Sequence, residues 1–125
     1  MMNRPYDSPW GEIQHCLQLY PGVYSVCTAR HGGIMVHSEA VEDTLSAEAQ
    51  KCALPYNRYL CFEEDCDEPV ALREVMDKGY MKVPVNEHFK PGEFEAAINR
   101  SLRVWHPDYW KARQADIKRK QEHER

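Results

Sequence analysis

Residues 12–29, EIQHCLQLYPGVYSVCTA, restrict the fold more than any other stretch of this chain. Ile13, His15, Leu17 and Leu19 alternate with Glu12, Gln14, Cys16 and Gln18, which is the two-residue period of a half-buried strand. Pro21-Gly22 is a strong turn signal. The β-branched and aromatic run 23–29 then predicts a second strand, and with it a hairpin. Residues 34–37, IMVH, read as a short third strand after the interruption His31-Gly32-Gly33.

Past residue 37 the period changes. Ser38 and Ser46 can each cap a helical turn, and Leu54-Pro55-Tyr56-Asn57 reads as a breaker. Residues 58–62, RYLCF, read as a strand. From Asp65 to Lys78 a helical stripe appears, with Leu72, Val75, Met76 and Gly79 at i, i+3, i+4 and i+7. Pro69 suits a first helical turn and Gly79 a C-terminal cap. Residues 80–85 read as extended. Pro91 opens another helix with Phe94, Ala97, Ile98 and Leu102 on one face, and Trp105 continues that face into the core. His106-Pro107 ends it, because a residue before proline avoids the α region. The expected fold is α+β: an N-terminal antiparallel hairpin or meander with C-terminal helices packed on one face. The expected division is an arm over residues 1–9, a single domain over 10–110, and a basic tail over 111–125 that is helical or frayed.

Composition narrows the setting. One domain is the natural reading of 125 residues, and 42% apolar content is ordinary for a globular chain. No stretch approaches the roughly 18–20 apolar residues of a membrane span, and residues 1–14 hold no apolar signal core. A cytoplasmic protein without a membrane partner is the expectation. The five cysteines, Cys16, Cys27, Cys52, Cys61 and Cys66, are odd in number and irregular in spacing. They read as free, mostly buried thiols. No CxxC pair, HExxH, GxSxG or P-loop occurs, so a structural zinc site, a zinc hydrolase and the common nucleophile and nucleotide motifs have no support. The net charge is −4, yet residues 111–125 carry six basic side chains against three acidic ones. The acidic body is a poor electrostatic partner for nucleic acid and suits a basic protein surface. The basic tail lacks interleaved aromatics beyond Trp110.

Two stretches can carry chemistry. In residues 28–33, TARHGG, Gly32 and Gly33 can form a hairpin turn, or lend positive φ and a pair of amides to an anion. His31 beside them can be a general base, a ligand or a surface residue. In residues 61–69, CFEEDCDEP, Glu63, Glu64, Asp65, Asp67 and Glu68 crowd a helix start. Helix-dipole stabilisation and an Asp65 or Asp67 cap explain some of them. A subset can bind a cation through oxygen or orient His31. Cys66 lies among carboxylates that raise a thiol pKa and make it a poor nucleophile. Trp10 reads as a plug pinning the arm to the sheet.

The series SPWG, PGVYSVCTARHGG and FEEDCDE resembles a family of small proteins of phages, plasmids and integrative elements. Members carry T-P-W-G, then a segment ending S-H-G-G, then Y-E-E-D-C-[DE]-W. The likeness covers about residues 8–75. It implies a shared set at Trp10, Gly11, His31, Gly32, Gly33, Glu63, Glu64, Asp65 and Cys66. Arg30 stands where the family has serine, and Glu68-Pro69 where it has tryptophan. The resemblance locates a site and no reaction, and no cofactor follows from it. Two function classes are therefore expected. One is a mobile-element accessory protein that binds a host or defence-system protein, as an anti-CRISPR-like or other inhibitor. The other is a small hydrolase or transferase with catalytic His31, Glu64 and Asp65 and an anion hole of Gly32 and Gly33 amides, with Trp10, Glu63 and Cys66 as binding residues.

Overall fold

The alternating stretch folds back on itself at Pro21-Gly22. In a computed structural model, which describes residues 2–123, β1 (His15–Tyr20) and β2 (Val23–Cys27) pair antiparallel. Gly22 between them takes a φ of 84°, which a side chain would resist. β3 (Gly32–His37) adds antiparallel to β2, β5 (Tyr59–Glu63) to β3, and β4 (Leu54–Tyr56) to β5. The resulting five-stranded sheet has the order β1-β2-β3-β5-β4. The fold is α+β, an N-terminal antiparallel meander with C-terminal helices packed against it.

Gly32 and Gly33 are not the hairpin turn. They open β3, opposite Cys27 and Val26, and neither has a positive φ. The reversal is made by residues 28–31, where the Thr28 amide donates to the His31 carbonyl at 2.9 Å. The Thr28 hydroxyl accepts from the Arg30 and His31 amides at 3.3 and 3.2 Å. Such side-chain bonding to nearby backbone lets threonine shape a turn without glycine. The breaker at Pro55 is the short edge strand β4, where a missing N–H costs no ladder bond. Asn57, at φ 52°, turns the chain into β5.

Both faces of the sheet are covered. Val23, Ile34, Val36 and Phe62 face the helices and meet Val70, Val75, Leu102 and Tyr109. Tyr24, Val26, Met35 and Cys61 face the other way, under Trp10, Ile13 and the arm. Trp10 is thus packed as a plug. The arm itself is tied down: Tyr24 donates to the Met2 carbonyl at 3.2 Å, Tyr59 to that of Asn3 at 2.8 Å, and Tyr56 to Asp7 at 2.9 Å. Pro5 and Ser8 are buried in it.

On the helical side, a 3-10 turn (Ser38–Ala40) leads into α1 (Val41–Thr44) and α2 (Ala47–Gln50). Ser46 caps α2 through the Ala49 amide, whereas the 3-10 turn is capped by His37 and not by Ser38. α3 (Glu68–Asp77) starts three residues later than Asp65, since residues 64–67 form a turn. It ends as expected. Gly79, at φ 75°, donates to Met76 and the Tyr80 amide to Val75, which satisfies two orphan carbonyls. Residues 80–92 form no strand. α4 (Glu93–Trp105) buries Ile98 and Leu102, and α5 (Pro107–His123) follows the break at His106. Trp105 lies outside the core, 61% exposed. The chain breaks immediately after it, and α5 fills the core with Tyr109, 3% exposed. α5 runs as one helix, with Arg113 held on Asp77 at 2.7 and 2.9 Å. No helix of the described residues is long and apolar enough to cross a membrane.

Candidate functional site

The pairing of β3 with β5 brings the two chemically loaded turns together. Gly33 lies opposite Glu63, and the Glu64 amide donates to the Gly32 carbonyl at 3.0 Å. Residues 28–31 and 64–67 are therefore neighbours at one end of the sheet, although more than thirty residues separate them in sequence. The close approach depends on the glycines. A Cβ on Gly33 would run into the Phe62 carbonyl oxygen and come within 2.7 Å of the Trp10 ring, and one on Gly32 would run into the Val26 carbonyl oxygen.

Within this corner the acidic run divides in two. The donor atoms of His31, Glu64 and Asp65 all lie within 4.8 Å of one another, and all three residues are exposed. The donor atoms of Glu63, Cys66 and Asp67 form a second, half-buried group within the same limit. The turn explains the division: Asp67 donates its amide to the Glu63 carbonyl at 2.9 Å, which closes one helical turn and sends Glu64 and Asp65 outward. Asp67 stands at the N-cap of α3 but makes no side-chain cap bond. Its carboxylate instead shares a 2.8 Å hydrogen bond with His106 Nε2, which joins the acidic turn to the α4–α5 break.

Five further site residues fall outside the first group. Trp10 covers Gly33 and belongs to the packed face. Gly32 and Gly33 are extended strand residues, whose successive amides point to opposite edges of the strand. They do not converge on one anion, so the expected anion hole has no geometry here. Glu63 and Cys66 sit in the half-buried group.

The electrostatics of the turn follow its burial. Burial, then Asp67 and Glu63, push the Cys66 thiol up, so it stays protonated and is a poor nucleophile. Burial, then Glu64 and Asp65, push the Glu68 carboxyl up to about 7. Asp67, Glu68 and His106 were not singled out from the sequence as site residues. Asp67 and Glu68 read as helix-start acids and His106 as a helix stop. Only the fold shows that His106 reaches back across the helix to Asp67. The cysteines are all unpaired, but only Cys61 is buried, while Cys27 is exposed and Cys16, Cys52 and Cys66 are intermediate.

The His31 group lies on open surface. A cavity of about 830 Å³ lies elsewhere, between α1, α2, α3 and α5, beside Glu74, Tyr109 and Arg113. Glu74 there is buried and satisfied by the Ser46 amide and by the Tyr109 hydroxyl at 2.8 Å.

Residues 3–125 match the family described as a domain of unknown function, DUF7007, and the chain belongs to that family. No curated protein and no solved structure matches it.

Proposed function

We propose that this DUF7007 member is a small hydrolase or transferase whose working centre is His31 with Glu64 and Asp65. The observation that carries the reading is the convergence of one imidazole and two carboxylates within 4.8 Å, from two turns that only the β3–β5 pairing makes neighbours. One imidazole with two carboxylates suits a borderline divalent ion such as Mn²⁺ or Zn²⁺. Three protein donors leave positions open for water and substrate. Such an ion would lower the pKa of a bound water, for Zn²⁺ towards about 7, and would stabilise developing negative charge. That second role replaces the anion hole which the extended glycines do not form. Without an ion, His31 acts as a general base oriented by one of the carboxylates.

The test is calorimetric titration with MnCl₂ and with ZnCl₂, beside hydrolysis of p-nitrophenyl acetate and bis(p-nitrophenyl) phosphate. Wild type is expected to bind one ion or to turn over one ester. His31→Ala and Glu64→Gln should each weaken that signal by more than about tenfold. All three residues are exposed, so neither change threatens the fold. A signal unchanged in His31→Ala overturns the proposal, and so does the absence of both binding and turnover.

A second reading draws on the exposure of the same group, which does not line the 830 Å³ cavity. An open acidic turn is a natural docking surface for a basic partner. In that reading the protein is a mobile-element accessory factor that binds, and inhibits, a host or defence-system protein in the cytoplasm. A named partner that binds wild type and Glu64→Ala equally counts against it.

A further inference from the structure

We infer that the corner where α4 meets α5 binds single-stranded nucleic acid. The basic tail has no interleaved aromatic beyond Trp110, but the fold exposes one just before it: Trp105 is 61% exposed at the end of α4, next to Val104 at 66%. Arg100 and Arg103, four and one residues before Val104, share one exposed side of α4 by their i, i+3 spacing. Lys111 and Lys118, two turns apart, lie on one exposed face of α5. None of these four cations makes an ion pair among the described residues, whereas Arg113 is held by Asp77 and Arg119 and Lys120 by Asp116. Arg103 also stands 5.5 Å from the Trp110 ring centroid, which fixes it beside the start of α5.

The charge distribution selects the ligand and confines it. Residues 100–123 carry seven cations against three acids, and the rest of the chain carries nine against seventeen. A polyanion is attracted to this corner and repelled elsewhere, so the footprint is a few nucleotides. Unneutralised Lys and Arg track phosphates, and an exposed indole offers a stacking face to any unpaired base. A paired base has no free face for it, which favours single strands over duplex. An acidic protein segment would use the charge and leave the ring idle. Trp105 adjoins His106, whose 2.8 Å bond to Asp67 sets this corner beside the acidic turn. The inference does not depend on that turn having an activity.

The test is fluorescence anisotropy of fluorescein-labelled dT20 with the full chain at about 50 mM salt, where phosphate contacts are strong. Binding is expected, and it should weaken steeply as salt rises. Trp105→Ala should weaken it about 5- to 100-fold, the range for loss of one stacked base. Lys111→Glu should weaken it and flatten the salt dependence. Both side chains are exposed, and matching thermal melts confirm that the variants fold. Absence of binding to dT20 overturns the inference. So does binding that Trp105→Ala leaves unchanged, or that poly-glutamate competes away as well as unlabelled dT20. The last outcome assigns the corner to acidic proteins.

Discussion

Glu68 carries the clearest cost in the molecule. It sits in the first turn of α3, and burial with Glu64 and Asp65 nearby pushes its carboxyl from 4.5 up to about 7. The unfolded chain ionises this group above about 4.5, while the folded chain keeps the proton until about 7. Stability from this residue is therefore full below the lower value and falls as pH rises between the two, by up to about 3 kcal/mol. Glu68→Gln removes the ionisation and keeps the shape. Urea unfolding should find the variant more stable than wild type at pH 8 and no more stable at pH 4. An equal gain at both values would show that packing, not charge, is responsible. The crowding of acids was legible in the sequence, and so was the poor outlook for Cys66. Which acid bears the burden was not, because that depends on the turn at 64–67 delaying the helix and withdrawing Glu68 from water.

Among the elements, β3 shows how one residue type serves opposite ends. Glycines in a sequence announce a backbone need but not which one. At Gly79 the need is conformational: φ is 75° and nothing lies within 4 Å of an added Cβ. At Gly33 the backbone is ordinary strand and the need is space, because the Phe62 carbonyl and the Trp10 ring occupy the place of a side chain. The turn reading of Gly32-Gly33 failed for that reason, since Thr28 builds the reversal with its hydroxyl. The two cases predict different penalties. Gly79→Ala carries only left-handed strain, about 1–2 kcal/mol. Gly33→Ala forces apart β3 and β5 or dislodges Trp10 and should cost at least about 2 kcal/mol. It should also separate His31 from Glu64, so the His31 ring NMR resonances should shift in Gly33→Ala and hold still in Gly79→Ala. Equal denaturation midpoints for the two variants would contradict this account.

The whole molecule is three layers deep: helices, sheet and arm. The period-two and period-3.6 stretches made the first two layers legible, since each pattern implies one buried face. The third is announced in the sequence only by Trp10, as a plug pinning the arm to the sheet. Residues 2–9 are short, polar and interrupted by prolines, and what holds them is three tyrosine hydroxyls on distant strands. The apolar positions that betray the arm are Tyr24, Val26, Met35 and Cys61, which alternate with the helix-facing set and would be wet if the sheet had only one covered face. Removal of the arm therefore has a chemical signature. In the intact chain Cys61 is 1% exposed and burial pushes its thiol up to about 12, so it should resist alkylation while Cys27 reacts at once. A chain starting at Pro9 loses the three hydroxyl bonds and the cover they hold, about 2–4 kcal/mol in all. It should remain folded on the helical face, melt several degrees lower, and label at Cys61 under native conditions. Mass spectrometry after a short pulse of iodoacetamide reads the site directly. If Cys61 stays protected in the shortened chain, Trp10 and Ile13 suffice to seal that face and the arm contributes nothing to it.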